Sequence, residues 1–153
     1  NASVSFYDRY MGYRKALRKF GLEAPGHCAA LTDCPEHTWI DEIIEILRRV
    51  KAEGEFPTGF VCCNDAAAIM LCKALKQLGM DIPGEVSVVG FDDISAASQI
   101  EPELTTLRVK RETMGRKAVN MLIARLSGDN SVAEKLLLSA SLVERSTVKK
   151  PGP

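Results

Sequence analysis

Apolar residues along this chain recur with two periods, and the two alternate in a regular order. Over residues 5–20, Tyr10, Tyr13, Leu17 and Phe20 fall on one helical face and predict a helix that buries them. Ser5 with Asp8 matches a capping box, and Gly21 supplies the stop. Residues 27–32 read as a strand ending at Asp33-Cys34-Pro35. Ile40, Ile43, Ile44, Leu47 and Val50 then define an amphipathic helix with Arg48, Arg49 and Lys51 mostly outside. A short apolar run over 58–63 predicts a second strand, after which Asn64-Asp65 opens a helix over 66–78 that Gly79 ends.

The densest β signal follows Pro83-Gly84, where Val86, Val88, Val89 and Phe91 make a run that reads as a buried parallel strand. Residues 94–99 read as a short polar helix or turn, 104–109 as a brief strand, and 111–126 as a helix with Met114, Ala118, Met121 and Leu122 inward. The span 136–148 alternates in part, as an edge strand does, and 149–153 should be a disordered tail. Strand and helix patterns alternate almost throughout. The expected fold is therefore α/β: three layers, with a mainly parallel sheet between flanking helices.

That fold class changes how the polar residues read, because ligands of open α/β sheets bind outside the carboxyl ends of the strands. Asp92 and Asp93 stand at such an end, and so does Asn64 one β–α unit earlier. Each also reads as a plain helix cap, since short oxygen-bearing side chains satisfy free amide groups at helix starts. Two such positions in consecutive units face one crevice. Arg9 lies near the start of the first helix, where a cation gains nothing from the helix dipole. It reads either as a solvated side chain or as a fork of donors kept for recognition.

Charge narrows the partners. The 153 residues carry 20 Lys and Arg against 20 Asp and Glu, so the chain lacks the basic excess of a domain that binds nucleic acid by itself. The size suits about one domain, able to bury roughly 70 percent of its unfolded surface. The five cysteines, at 28, 34, 62, 63 and 72, form no C-x-x-C pair, and two histidines do not complete a metal site. They read as reduced cysteines serving as small hydrophobes in a cytoplasmic protein. No membrane span, signal peptide, cofactor loop or metal set is legible. Nothing resembling a first strand precedes the first helix, which is how a fragment reads.

Several motifs now stand in order. Ser5, Arg9, Gly12 and Tyr13 form an S-x-x-x-R-x-x-G-aromatic helix, and Phe60-Val-Cys-Cys-Asn64-Asp65-Ala66 precedes Ile82-Pro-Gly-Glu-Val-Ser-Val-Val-Gly-Phe-Asp92-Asp93. Pro102-Glu-Leu-Thr-Thr-Leu and Leu142-Val-Glu-Arg-Ser-Thr147 complete the series. This order resembles the LacI/GalR transcriptional regulators over nearly the whole chain. The resemblance implies the carboxyl-terminal lobe (residues 1–148) of a periplasmic-binding-protein-like effector domain, with the helix-turn-helix and amino-terminal lobe outside this chain.

In that family a sugar or similar small metabolite binds between lobes, and residues matching Ser5, Arg9, Asn64 and Asp92 supply polar contacts. Two departures bear on the effector: Cys34 stands where a stacking aromatic residue is common, and Arg111 where an apolar cleft residue is frequent. An acidic or phosphorylated effector thereby becomes conceivable. The resemblance further implies a non-enzyme, a homodimer using residues 64–78 and 94–100, and DNA contact only through the helix-turn-helix. Alternatives on the same residues are a periplasmic sugar-binding protein of a transporter, or a Mg-dependent phosphoacceptor domain using Asp92 and Asp93.

Overall fold

A computed structural model describes residues 4–22, 39–54, 56–128 and 131–150. The strand expected over 27–32, with Asp33 and Cys34 at its end, lies outside the described residues. The elements are α1 (Val4–Lys19), α2 (Trp39–Ala52), β1 (Gly59–Val61), α3 (Asp65–Gln77), β2 (Ser87–Asp92), a 3-10 turn (Ser95–Ser98), β3 (Thr105–Arg108), α4 (Arg111–Leu126) and β4 (Ser141–Val143).

The described strands form one sheet in the order β1-β2-β3-β4. β1 and β3 both run parallel to β2, with Phe60 opposite Val88 and Gly90 opposite Thr106. β4 returns antiparallel to β3. The mainly parallel sheet with flanking helices is as the alternating patterns predict.

Alternation along β2 decides which face is core. Val88 and Gly90 are buried while Val89 and Phe91 are only half-buried, because successive side chains leave opposite faces of a strand. Against the buried face lies α3, contributing Ala68, Ala74 and Leu75, none of them exposed. α2 packs on α3 through Ile43, Ile44, Leu47 and Val50, the helical spacing legible in the sequence. Fully burying each such side chain is worth about 1.5–3 kcal/mol, which makes α2, α3 and β2 the stable centre of the molecule.

Thr147 latches the carboxyl end of the chain onto this centre. Its hydroxyl donates to the Val88 carbonyl at 2.7 Å and accepts from the Thr105 amide at 2.9 Å, with no part of the residue exposed. The latch joins the strand-like final motif to β2 and β3 by side-chain bonds. The strand itself is much shorter than the expected 136–148, since only Ser141–Val143 pairs with β3.

Three other expectations are corrected. Helical bonding in α1 already includes Val4, so Ser5 sits inside the first turn and is not the capping residue before it. Tyr10, Tyr13, Leu17 and Phe20 do not form a buried face; Phe20 is 72% exposed and only Tyr13 and Leu17 are half-buried. On α4, Met114, Met121 and Leu122 are exposed as well, and neither helix has a buried residue. Both helices carry apolar residues, but no described element packs along them. Periodicity marks the stripe and not the surface that meets it.

Candidate functional site

At the carboxyl end of β2 the backbone leaves the sheet through two residues with positive φ, Asp92 at 114° and Asp93 at 52°. Asp tolerates positive φ better than most residues, yet such conformations still cost on the order of 1–3 kcal/mol each and persist only where the surroundings hold them. The turn separates the two carboxylates: they go to different places and do different things.

Asp92 lines a cavity of about 380 Å³ with Arg9 and Phe91 on one side and Lys110, Arg111 and Met114 on another. Leu138, Ser139 and Ala140 close it from the segment before β4. Arg9 reaches in from α1 with its guanidinium 3.9 Å from the centroid of the Phe91 ring, a cation–π contact, and donates to the Cys63 carbonyl. Its second terminal nitrogen lies 3.9 Å from Asp92 Oδ1, too long for a hydrogen bond and close enough for charge attraction. The solvated-surface reading of Arg9 is therefore set aside, since its side chain is only 27% exposed.

Burial raises the Asp92 carboxyl above its ordinary value; Arg9 pulls it back, buried Asp65 pushes it up again, and Arg111 pulls it down. One carboxylate thus faces three cationic side chains, Arg9, Lys110 and Arg111, across a half-enclosed space. That set can accept from neighbouring hydroxyls through Asp92 and donate through two guanidinium forks.

The sequence-predicted residues divide. Arg9, Asp92 and Arg111 meet around one cavity, with Arg111 the first residue of α4. Asn64 borders it at one remove, through the Cys63 carbonyl that Arg9 holds, and does not line it. Its Oδ1 accepts from the Ala67 amide at 2.8 Å, so the capping role is real and leaves the amide NH₂ as the group Asn64 has to offer. Ser5 lies one turn before Arg9 on α1 and does not line the cavity. Cys34 is outside the described residues.

Asp93 was legible as a strand-end acid, but its partners Arg145 and Arg108, and the role of Asp65, were not. Asp93, 9% exposed, accepts from Arg145 Nη2 at 2.6 Å and from Arg108 Nε on its two carboxylate oxygens. Burial raises its carboxyl, but the two arginines more than offset this and hold it below the ordinary value. Asp65, fully buried, accepts from the Thr106 hydroxyl at 2.5 Å and from the Ile94 amide at 2.9 Å. Asp65 therefore ties the start of α3 to the residue after Asp93. The sequence signal available was the R-x-S-T ending and the second Asp of each Asx-Asp pair.

Both oxygens of Asp93 are engaged by arginine, which leaves Asp92 as the acid presented to the cavity. Among the described residues no group of three His, Cys, Asp or Glu is placed to hold a metal ion.

The sequence matches the periplasmic binding protein-like domain family over residues 2–148. The chain belongs to this family, in the form carried by LacI-type transcriptional regulators. It is 31% identical over 151 residues to the HTH-type transcriptional repressor PurR of Haemophilus influenzae, covering 92% of this chain and 42% of that protein. It is 46% identical over 119 residues to the arabinose metabolism transcriptional repressor of Geobacillus stearothermophilus, covering 76% of this chain and 32% of the relative. The Lac repressor bound to ONPG superposes with a TM-score of 0.81 at 28% identity, over 95% of this chain and 42% of that one. The chain thus spans less than half the length of these curated relatives. No helix among the described residues is long and apolar enough to cross a membrane.

Proposed function

We propose that this chain is the carboxyl-terminal lobe of the effector domain of a cytoplasmic LacI-type transcriptional regulator, and that it binds a small polyhydroxylated effector at the Arg9–Asp92–Arg111 cavity. The observation that carries the reading is Asp92, turned out of β2 at φ 114° and set between Arg9 and Arg111 in a half-enclosed space. A carboxylate flanked by donor forks suits vicinal hydroxyls, and each such bond to a charged group is worth about 1.5–3 kcal/mol where unpaired partners are costly. The identity to an arabinose metabolism repressor supports a sugar as the effector.

Asn64 adds a donor at the rim. Effector held between this lobe and an amino-terminal one favours one lobe arrangement over the other, and an attached DNA-binding head feels that difference as a change in affinity. The outward positions of α3, Ala66, Lys73 and Lys76, with the Ser95–Ser98 turn, are the proposed homodimer surface.

A thermal-shift screen of aldopentoses, aldohexoses and sugar phosphates on the full-length regulator tests this. The expected hit is a neutral sugar whose stabilisation disappears in Asp92→Asn. A hit confined to sugar phosphates, kept in Asp92→Asn and lost in Arg111→Met, would replace it with an anionic effector held by the cations of the cavity. Stabilisation by Mg²⁺ with no response to any sugar would sink both.

A further inference from the structure

Arg145 does not line the cavity, yet it is tied to the residue next to Asp92. Its backbone amide donates to Thr105 Oγ1 at 2.9 Å and its Nη1 to the Leu104 carbonyl at 2.7 Å, so the side chain is fixed to the start of β3 before it meets Asp93. It then donates to Asp93 Oδ1 at 2.6 Å, with both side chains largely buried, 13% and 9% exposed. The other arginine on Asp93, Arg108, is 56% exposed, where ion pairs hold little. On the far side of the turn, Asp65 holds the Ile94 amide. The strained pair Asp92-Asp93 is thus fastened through Asp93 and Ile94, with Arg111 also reaching the Asp93 carbonyl at 3.4 Å, and Arg145 is the least exposed of the cations on it among the described residues.

We propose that Arg145 is a positioning residue for the effector site: by gripping Asp93 it keeps the Asp92–Asp93 backbone in its positive-φ conformation and so keeps Asp92 turned into the cavity. The proposal rests on the reading of that cavity as the effector site for its biological meaning, but the geometry it asserts is independent of any ligand. Without the grip, Asp92 relaxes toward an ordinary extended backbone and its carboxylate moves to solvent. What then remains on the turn is the exposed Arg108 on the Asp93 carboxylate, Arg111 on the Asp93 carbonyl at 3.4 Å, the Asp65–Ile94 bond and the pairing of Asp92 with Arg108, none of which is a buried cation on the Asp93 carboxylate.

The test follows the Asp92 carboxyl carbon by NMR titration in the wild type, Arg145→Met, Arg145→Lys and Thr147→Val. The direction of change separates two accounts. If Asp92 stays in place and merely loses a nearby cation, its titration moves further up. If it is released to water, its titration falls back toward the ordinary value of 3.8. The proposal expects the fall in Arg145→Met and a partial fall in Arg145→Lys, with the Ile94 amide exchanging about tenfold faster relative to Val88, the factor that 1.4 kcal/mol of local opening gives. Thr147→Val loosens the same latch without touching Asp93, and is expected to lower the unfolding midpoint while leaving the Asp92 titration in place.

An upward or unchanged titration in Arg145→Met overturns the proposal, as does an equal fall in Thr147→Val. A second arm, titration of L-arabinose into the full-length protein, is expected to show about tenfold weaker binding in Arg145→Met. Should the wild type respond to none of the sugars of the thermal-shift screen, the effector reading fails there, while the NMR arm still decides the positioning role.

Discussion

Asp65 Oδ1 occupies the space that a β-carbon on Gly90 would need, 2.2 Å from where that carbon would stand. Gly90 is not in a left-handed conformation; it is glycine because a buried carboxylate and the Leu104 side chain, 2.9 Å from the same point, press against the strand there. Overpacking of this kind costs about 1–3 kcal/mol. Gly90→Ala should therefore lower the unfolding free energy by that amount, read as a lower urea midpoint at unchanged slope, and weaken the Thr106–Asp65 bond with it. Unchanged stability would mean that Asp65 moves aside at little cost.

Acid should act on this protein through Asp93. Its folded-state carboxyl is held below the ordinary 3.8 by Arg145 and Arg108, so its contribution is present above that value and is lost as pH falls through the lowered one. Urea midpoints measured between about pH 6 and pH 2.5 should fall more steeply at the acid end in the wild type than in Asp93→Asn, which has no proton to take up. Parallel curves would show that the pair stabilises nothing.

The neighbouring carboxylate titrates with the opposite sign. Burial lifts Asp92 above the ordinary value, so its charge is lost earlier as pH falls, and protonation there favours the folded state slightly. If Asp92 accepts effector hydroxyls as a carboxylate, effector affinity should begin to drop at a higher pH than stability does, since Asp92 is raised and Asp93 lowered. Calorimetric titrations at a series of pH values check the order; affinity that tracks stability would remove Asp92 from binding.

Cysteine reactivity offers a test of the packing behind the site. Burial pushes the Cys72 thiol up to about 11 and the Cys62 thiol higher still, whereas at Cys63 burial is opposed by Arg9. Since the thiolate is the nucleophile, a brief iodoacetamide pulse at pH 8 should label Cys63 ahead of Cys62 and Cys72, with the difference erased in urea. Peptide mapping that finds Cys72 labelled first would contradict the burial of α3 against β2.

Local periodicity was enough to read α2, α3 and β2 from residues alone, because each buries its own regular stripe and its neighbours along the chain decide the period. The motif order was equally legible, and with it the family, the placement of Asp92 at a strand end and the interest of Arg9. The tertiary structure alone decided which groups meet. Asp93 and Arg145 are 52 positions apart, and Asp65 and Thr106 are 41 apart; no spacing rule reaches that far. It also decided that Asn64 spends its oxygen on Ala67, that Ser5 lies within α1, and that the apolar residues of α1 and α4 are left uncovered by the described elements. A sequence records what each segment can bury; only the packed chain shows what it is buried against, and here that packing turns one aspartate toward the cavity and locks the next one behind it.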